Sequence, residues 1–177
     1  MSPVFFVGKK DRSKRMVMDY YNLNNQTVKN NYPLPLITDL IDNMGSKQVF
    51  TKMDLQWGFN NIRIKEGDEW KGAFTTHVGS FEPTVIFFGM MNSPATFQAM
   101  MNEILRDMIN EGKVAAFVDD VLVGTETEEG HDEIVEEVRR ERLVCQAGEV
   151  HMESKEDWIP GCSHRTWQNR DGEREGR

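Results

Sequence analysis

Apolar residues fall into short blocks along this 177-residue chain, and the spacing inside each block predicts an element. In "VFFVGKKDRSKRMVMDY", apolar Val4 to Val7 lead into a polar, basic turn around Asp11 to Ser13, and Met16 and Val17 return. That pattern predicts a β-hairpin with its basic residues at the tip. "YPLPLITDLIDNMGS" follows, where Pro33 and Pro35 suit an extended lead-in or first turn. Leu36, Ile37, Leu40, Ile41 and Met44 then recur at helical spacing until Gly45 stops them. "QVFTKMD" reads as a strand, and "NNIRI" as another after a turn at Trp57 and Gly58.

The clearest helix is "SPATFQAMMNEILRDMINEG", with Ser93 as N-cap and Pro94 at the first helical position, where its missing N–H costs nothing. Phe97, Met100, Met101, Ile104, Leu105, Met108 and Ile109 form its apolar stripe, read as core packing, and Gly112 ends it. Directly after it, "AAFVDDVLVG" predicts strand, turn and strand: Val114 to Val118, Asp119-Asp120, and Val121 to Val123. "EEGHDEIVEEVRRERL" is a last amphipathic helix, with Ile134, Val135 and Val138 on its apolar side. The order hairpin, helix, strand, helix, hairpin, helix predicts an α+β domain, with helices packed on one side of an antiparallel sheet.

Composition alters this picture little. Hydrophobic residues make up 38% and charged residues 28%, as in a globular protein, and no apolar run is long enough to span a bilayer. The charges after the N-terminal apolar patch stand on the wrong side for a secretory signal, so an intracellular location is expected and a membrane partner is not. Charge is more informative. The net charge of −8 argues against a nucleic-acid partner, but residues 1–125 contribute only −1 of it, and residues 1–15 sum to +4. A local basic patch of that kind can engage phosphates whatever the total. Cys145 and Cys162, both in the tail, have neither metal-type nor disulfide-framework spacing.

Paired aspartates between short strands commonly do no more than make a turn. Here the flanks are apolar on both faces, so the hairpin is expected to be buried, where unpaired carboxylates are costly. Asp54 in "FTKMDLQWGF" supplies a partner at the end of another apolar strand. Carboxylates gathered at strand ends repel unless a cation compensates, and Mg²⁺ does so while leaving coordination sites for phosphate oxygens. Two such ions about 3.5–4 Å apart can activate a 3′-hydroxyl and stabilise leaving pyrophosphate. A carboxylate trio with a basic hairpin therefore predicts a nucleotidyl transferase, a reaction that asks for positioning and charge neutralisation above all.

Four motifs, in order, carry a family resemblance over residues 4 to about 138. "KKDRSKRMVMDYYNLN" resembles a fingers motif, and "MDLQWGFNNIRI" the first palm aspartate motif. "FFGMMNSPATFQAMMN" resembles a template-and-nucleotide helix motif, and "FVDD" the paired-aspartate hairpin. Together they are similar to the fingers and palm of reverse transcriptases of gypsy-like long-terminal-repeat retrotransposons. The resemblance implies a polymerase palm with a partial fingers hairpin in residues 1–138, adding deoxynucleotides to a primer on an RNA or DNA template. It implies two Mg²⁺ ions, with Mn²⁺ as a substitute, on Asp54 and Asp119, with Asp120 as supporting carboxylate. Lys10 and Arg15 would grip the incoming deoxynucleoside triphosphate, Phe59 would lie under the sugar and exclude a 2′-hydroxyl, and Gln98, on the face opposite Met100 and Met101, would contact template or nucleotide. The implied setting is a larger polyprotein with RNase H and integrase, in the cytoplasm within a virus-like particle or in the nucleus. Departures are Phe117 for a usual Tyr, Arg12 for a turn Gly, Tyr21 for an Arg and Phe88 for a Pro. Two other readings compete: a catalytically inactive relic with weak nucleic-acid binding, and a generic α+β binding module whose aspartates only make a turn. Closeness of Asp54 to Asp119 favours the palm over the generic module.

The resemblance ends near residue 138. Codons for "CQAGEVHMES", shifted forward one base, can spell "VKPEKCTWKV", and those for "KEDWIPGC" can spell "KKIGFLGV", both family-like text. Residues 139–177 are thus expected to be an out-of-frame tail, which also accounts for the acidity and both cysteines there.

Overall fold

The computed structural model describes residues 1–8, 12–55 and 58–141. Its contacts divide the chain into two compact units, Met1–Leu34 with Gln56–Ile104 and Pro35–Leu55 with Leu105–Arg177.

In the first unit, β1 (Ser2–Gly8) and β2 (Lys14–Met18) form the expected hairpin, from Val4↔Met18 to Gly8↔Lys14. The sheet is larger than the pattern predicts. A second hairpin, β4 (Phe74–Thr76) with β5 (Gly79–Phe81), joins it through parallel pairing of β4 with β1, giving the order β2-β1-β4-β5. Between the hairpins, a short helix α1 (Tyr21–Gln26) starts where the Asp19 carboxylate accepts the Tyr21 amide at 3.0 Å. The strand expected at "NNIRI" is reduced to one bridge, Arg63↔Val85, because Asn60 and Asn61 close the 3₁₀ turn Gly58–Asn61. Tyr20 is buried and donates to the Gly72 carbonyl at 3.1 Å; burial pushes its hydroxyl up to about 12.

Helix α3 (Ser93–Ile104) closes this unit, with its cap one residue earlier than expected. Its first bond runs from the Thr96 amide to the Asn92 carbonyl, and the Ser93 hydroxyl donates outward to the Phe87 carbonyl. The Asn92 side chain instead ties down the chain before it, donating to Val28 and accepting from the Asn30 amide. Helical geometry breaks at Leu105 and resumes in α4 (Arg106–Asn110), so the single long helix is two. Phe97, Met101, Leu105 and Met108 are nevertheless all buried, as the stripe predicts.

The second unit is built on β3 (Val49–Asp54), β6 (Val114–Phe117) and β7 (Asp120–Thr125), in the antiparallel order β3-β7-β6. The α+β class is as expected, with fuller helical cover than the one-sided prediction. Successive strand residues face opposite ways, so Phe50 and Leu122 look to one side and Thr51 and Thr125 to the other. Helix α2 (Ile37–Asn43) ends on the first side, where Leu40 and Met44 pack against Phe50, Ala115 and Leu122. A Cβ at Gly124 would meet the Met44 sulfur at 2.9 Å, so glycine is what admits this close approach. Helix α5 (His131–Arg140) takes the second side, where the buried His131 ring lies 2.8 Å from both the Thr51 and Thr125 hydroxyls.

Candidate active site

Strand β3 delivers Asp54 as its last residue, directly opposite Asp120 in the register with β7. Phe117 pairs with Asp120 across the hairpin, so its two-residue loop is Val118-Asp119, one residue earlier than the expected Asp119-Asp120 turn. The backbone explains the shift. Val118 takes the left-handed conformation, φ 54°, which ends β6 and leaves Asp120 free to start β7. A β-branched residue rarely tolerates that conformation, and it stores strain in the loop that carries Asp119. The Leu55 amide donates to the Asp119 carbonyl at 2.9 Å, clasping the end of β3 to the loop. Asp54, Asp119 and Asp120 are therefore all carried at one end of one ladder.

The electrostatics follow from that crowding. Asp54 is exposed, while Asp119 and Asp120 are half-buried. Burial pushes the Asp120 carboxyl above its usual range, the Asp119 and Asp54 charges push the same way, and the Lys52 ammonium opposes them. Lys52 Nζ stands 3.5 Å from Asp120 Oδ1. All the oxygens offered here are hard carboxylate donors, the chemistry that a cation such as Mg²⁺ takes. Among the described residues, no three acidic, His or Cys side chains are grouped closely enough to hold a metal ion.

The remaining predicted residues lie in the first unit and are placed differently. Lys10 lies outside the described residues. Arg15 is exposed on β2, opposite Val7, with its guanidinium 5.6 Å from the Phe88 ring centroid. Arg12, where glycine is usual, itself takes the left-handed conformation at φ 66°. Phe59 is 4% exposed, edge-on to Phe88 at 4.5 Å and tilted against Phe97 at 5.2 Å, so most of the ring is core. Gln98 is corrected: it is fully buried on the same face as Phe97 and Met101, and its amide donates to Asn102 Oδ1 at 2.9 Å. Position 98 stands three residues from Met101, which makes the two neighbours on one face and not opposites.

Sequence reasoning passed over Lys52, His131 and Asn24. Lys52 had a signal, since period-two alternation puts it on the face of Asp54. His131 had none, because its partner Thr51 is remote in sequence and Thr125, six residues away, lies on a different element. Asn24 clamps the "FFGMMNSP" loop, donating to the Gly89 carbonyl and accepting from the Met91 amide, both at 2.8 Å.

Comparison with known proteins matches residues 7–144 to the family described as reverse transcriptase (RNA-dependent DNA polymerase). The Tf2-3 and Tf2-7 transposon polyproteins of Schizosaccharomyces pombe (strain 972 / ATCC 24843) are each 40% identical over 136 residues, 77% of this chain and 10% of theirs. The chain thus spans about a tenth of the length of these curated relatives. Among solved structures, the foamy viral protease-reverse transcriptase in complex with RNA/DNA hybrid superposes with a TM-score of 0.71 at 28% identity, over 80% of this chain and 19% of that one. A form of it in complex with double-stranded DNA gives a TM-score of 0.73 at 28% identity, over 81% and 25%.

Proposed function

This chain belongs to the reverse transcriptase (RNA-dependent DNA polymerase) family, and we propose that its palm adds deoxynucleotides to a primer 3′-hydroxyl on an RNA template. The observation that carries the reading is the register Asp54↔Asp120 together with the bond from the Leu55 amide to the Asp119 carbonyl. In the reaction, the 3′-oxygen bonds to the α-phosphorus of the incoming deoxynucleoside triphosphate as the bond to pyrophosphate breaks. Asp54 and Asp119 would hold two divalent cations, Mg²⁺ or Mn²⁺, with Asp120 as a supporting carboxylate beside them. Those cations, when bound, lower the charge barrier between primer oxygen and triphosphate. Lys10 and Arg15 hold the triphosphate from the fingers, Arg15 with its planar fork steadied on Phe88. For Phe59 the sugar-facing role is confined to the small part of the ring that packing leaves exposed. Gln98 acts by bracing α3 through Asn102, which in turn donates to the Tyr32 hydroxyl at 2.9 Å.

Residues 1–138 form the fingers and palm in this reading, and 139–177 an out-of-frame tail within what was a polyprotein reading frame with RNase H and integrase. The family match ends at residue 144, six residues into that stretch. The encoding nucleotides test it: the forward-shifted frame is expected to read on into "KPEKC" and "FLG".

Primer extension on an RNA template with Mg²⁺ tests the activity. Wild type is expected to incorporate deoxynucleotides and Asp119→Asn to lose incorporation by about a thousandfold or more, the scale of removing a group that stabilises transition-state charge. Absence of incorporation in both proteins would instead support the inactive relic.

A further inference from the structure

Lys52 has no assigned role, yet it is built into the aspartate end. On β3 it stands two residues before Asp54, on the same face, and opposite Leu122 in the register. Asp120 is its diagonal neighbour across the strands, and the ammonium meets Asp120 Oδ1 at 3.5 Å. The Lys52 side chain is 23% exposed and that of Asp120 35%, so water screens this pair less than a surface pair. Leu122 is buried, which gives the lysine stem an apolar floor and limits where its head can reach.

We propose that Lys52 is a positioning residue: it holds Asp120 in an ion pair and keeps that carboxylate out of divalent-cation coordination, leaving Asp54 and Asp119 to hold the cation. This rests on the polymerase reading above. The charges are consistent with it. Three carboxylates and one ammonium leave a net −2, which the first divalent cation to bind balances. Without Lys52 the end carries −3 and Asp120 becomes a third oxygen donor able to close around the ion. A cation so enclosed binds more tightly and has fewer positions left for the triphosphate.

Mn²⁺ binding to the full chain, read from the loss of the free-ion paramagnetic resonance signal, tests the inference without relying on turnover. Lys52→Met is expected to bind Mn²⁺ more tightly than wild type by on the order of tenfold, as release of the Asp120 carboxylate to the ion as a third oxygen donor predicts. Lys52→Gln carries the same expectation, so a folding defect in one variant does not decide the result. Lys52→Arg, which restores the charge, returns affinity to near the wild-type value. In an Asp120→Asn background, Lys52→Met should tighten binding by at most about twofold, because the released carboxylate is gone. Wild-type affinity in both Lys52→Met and Lys52→Gln, or equal tightening with and without Asp120, overturns the role given to Lys52 and leaves the polymerase reading standing. No Mn²⁺ binding by the wild type overturns both.

Discussion

At one end of the β3–β7 ladder, Thr51, Thr125 and the His131 ring bury polar groups that satisfy one another; at the other, Asp54 faces Asp120 across the strands. In the first group the proton positions can be traced. The Thr125 hydroxyl donates its one proton to the Thr127 carbonyl at 2.7 Å, so it accepts from Nδ1–H of His131. Nε2 of the same ring lies 2.8 Å from the Thr51 hydroxyl, which completes the chain. The second group offers the opposite arrangement, since like charges directly opposite in a sheet are destabilising. A single pair of strands is thus fastened by a hydrogen-bond chain at one end and carries like charges that Lys52 only partly offsets at the other. Stability and chemistry are separated along its length.

Breaking the fastened end should have the largest effect on folding. His131→Ala leaves two buried threonine hydroxyls short of a partner and opens a cavity, so a loss of about 3 kcal/mol is expected in urea unfolding. Incorporation per folded molecule should change far less than in Asp119→Asn. A smaller effect of opposite sign is expected in the loop. Val118→Gly removes the left-handed strain at φ 54° and should raise stability by about 1 kcal/mol in the same assay.

Acid titration sharpens the contrast further. The folded-state pKa of Asp120 is raised, chiefly by burial, so the protonated form is the one that folding favours. Its stabilising contribution is fully present below the unfolded value of 3.8 and is lost as pH rises through the raised folded value. Asp120→Asn, uncharged throughout, should therefore gain stability relative to wild type as pH rises through that window. Urea unfolding of both proteins between about pH 3 and pH 7 reads the difference.

How far the sequence discloses this differs between the two ends. The aspartate end is legible because its residues are carried by local pattern: apolar strands ending in Asp54, and Asp119-Asp120 inside "FVDD". The loop is misjudged by one residue, since nothing in the pattern signals that Val118 would take a conformation usually left to glycine. At the fastened end, His131 meets Thr51 from 80 positions away, a contact that no local periodicity encodes. The same limit explains β4 and β5. Three-residue strands such as Phe74–Thr76 are too short for alternation to register, and the parallel pairing of β4 with β1 is remote in sequence. Helix α1 is missed for another reason: "YNLNNQ" has no apolar stripe and is begun by the Asp19 side chain. Gln98 shows that a polar residue can lie on the buried face of a helix, where it bonds to the residue one turn on.

The central claim is that the aspartate end is held against its own repulsion in the protein without bound cations. Thermal unfolding of wild type and Asp54→Asn, both in chelator, tests it most directly. Removing the charge opposite Asp120 is expected to raise the melting temperature while abolishing incorporation in Mg²⁺. A melting temperature that falls or stays at the wild-type value would contradict the account.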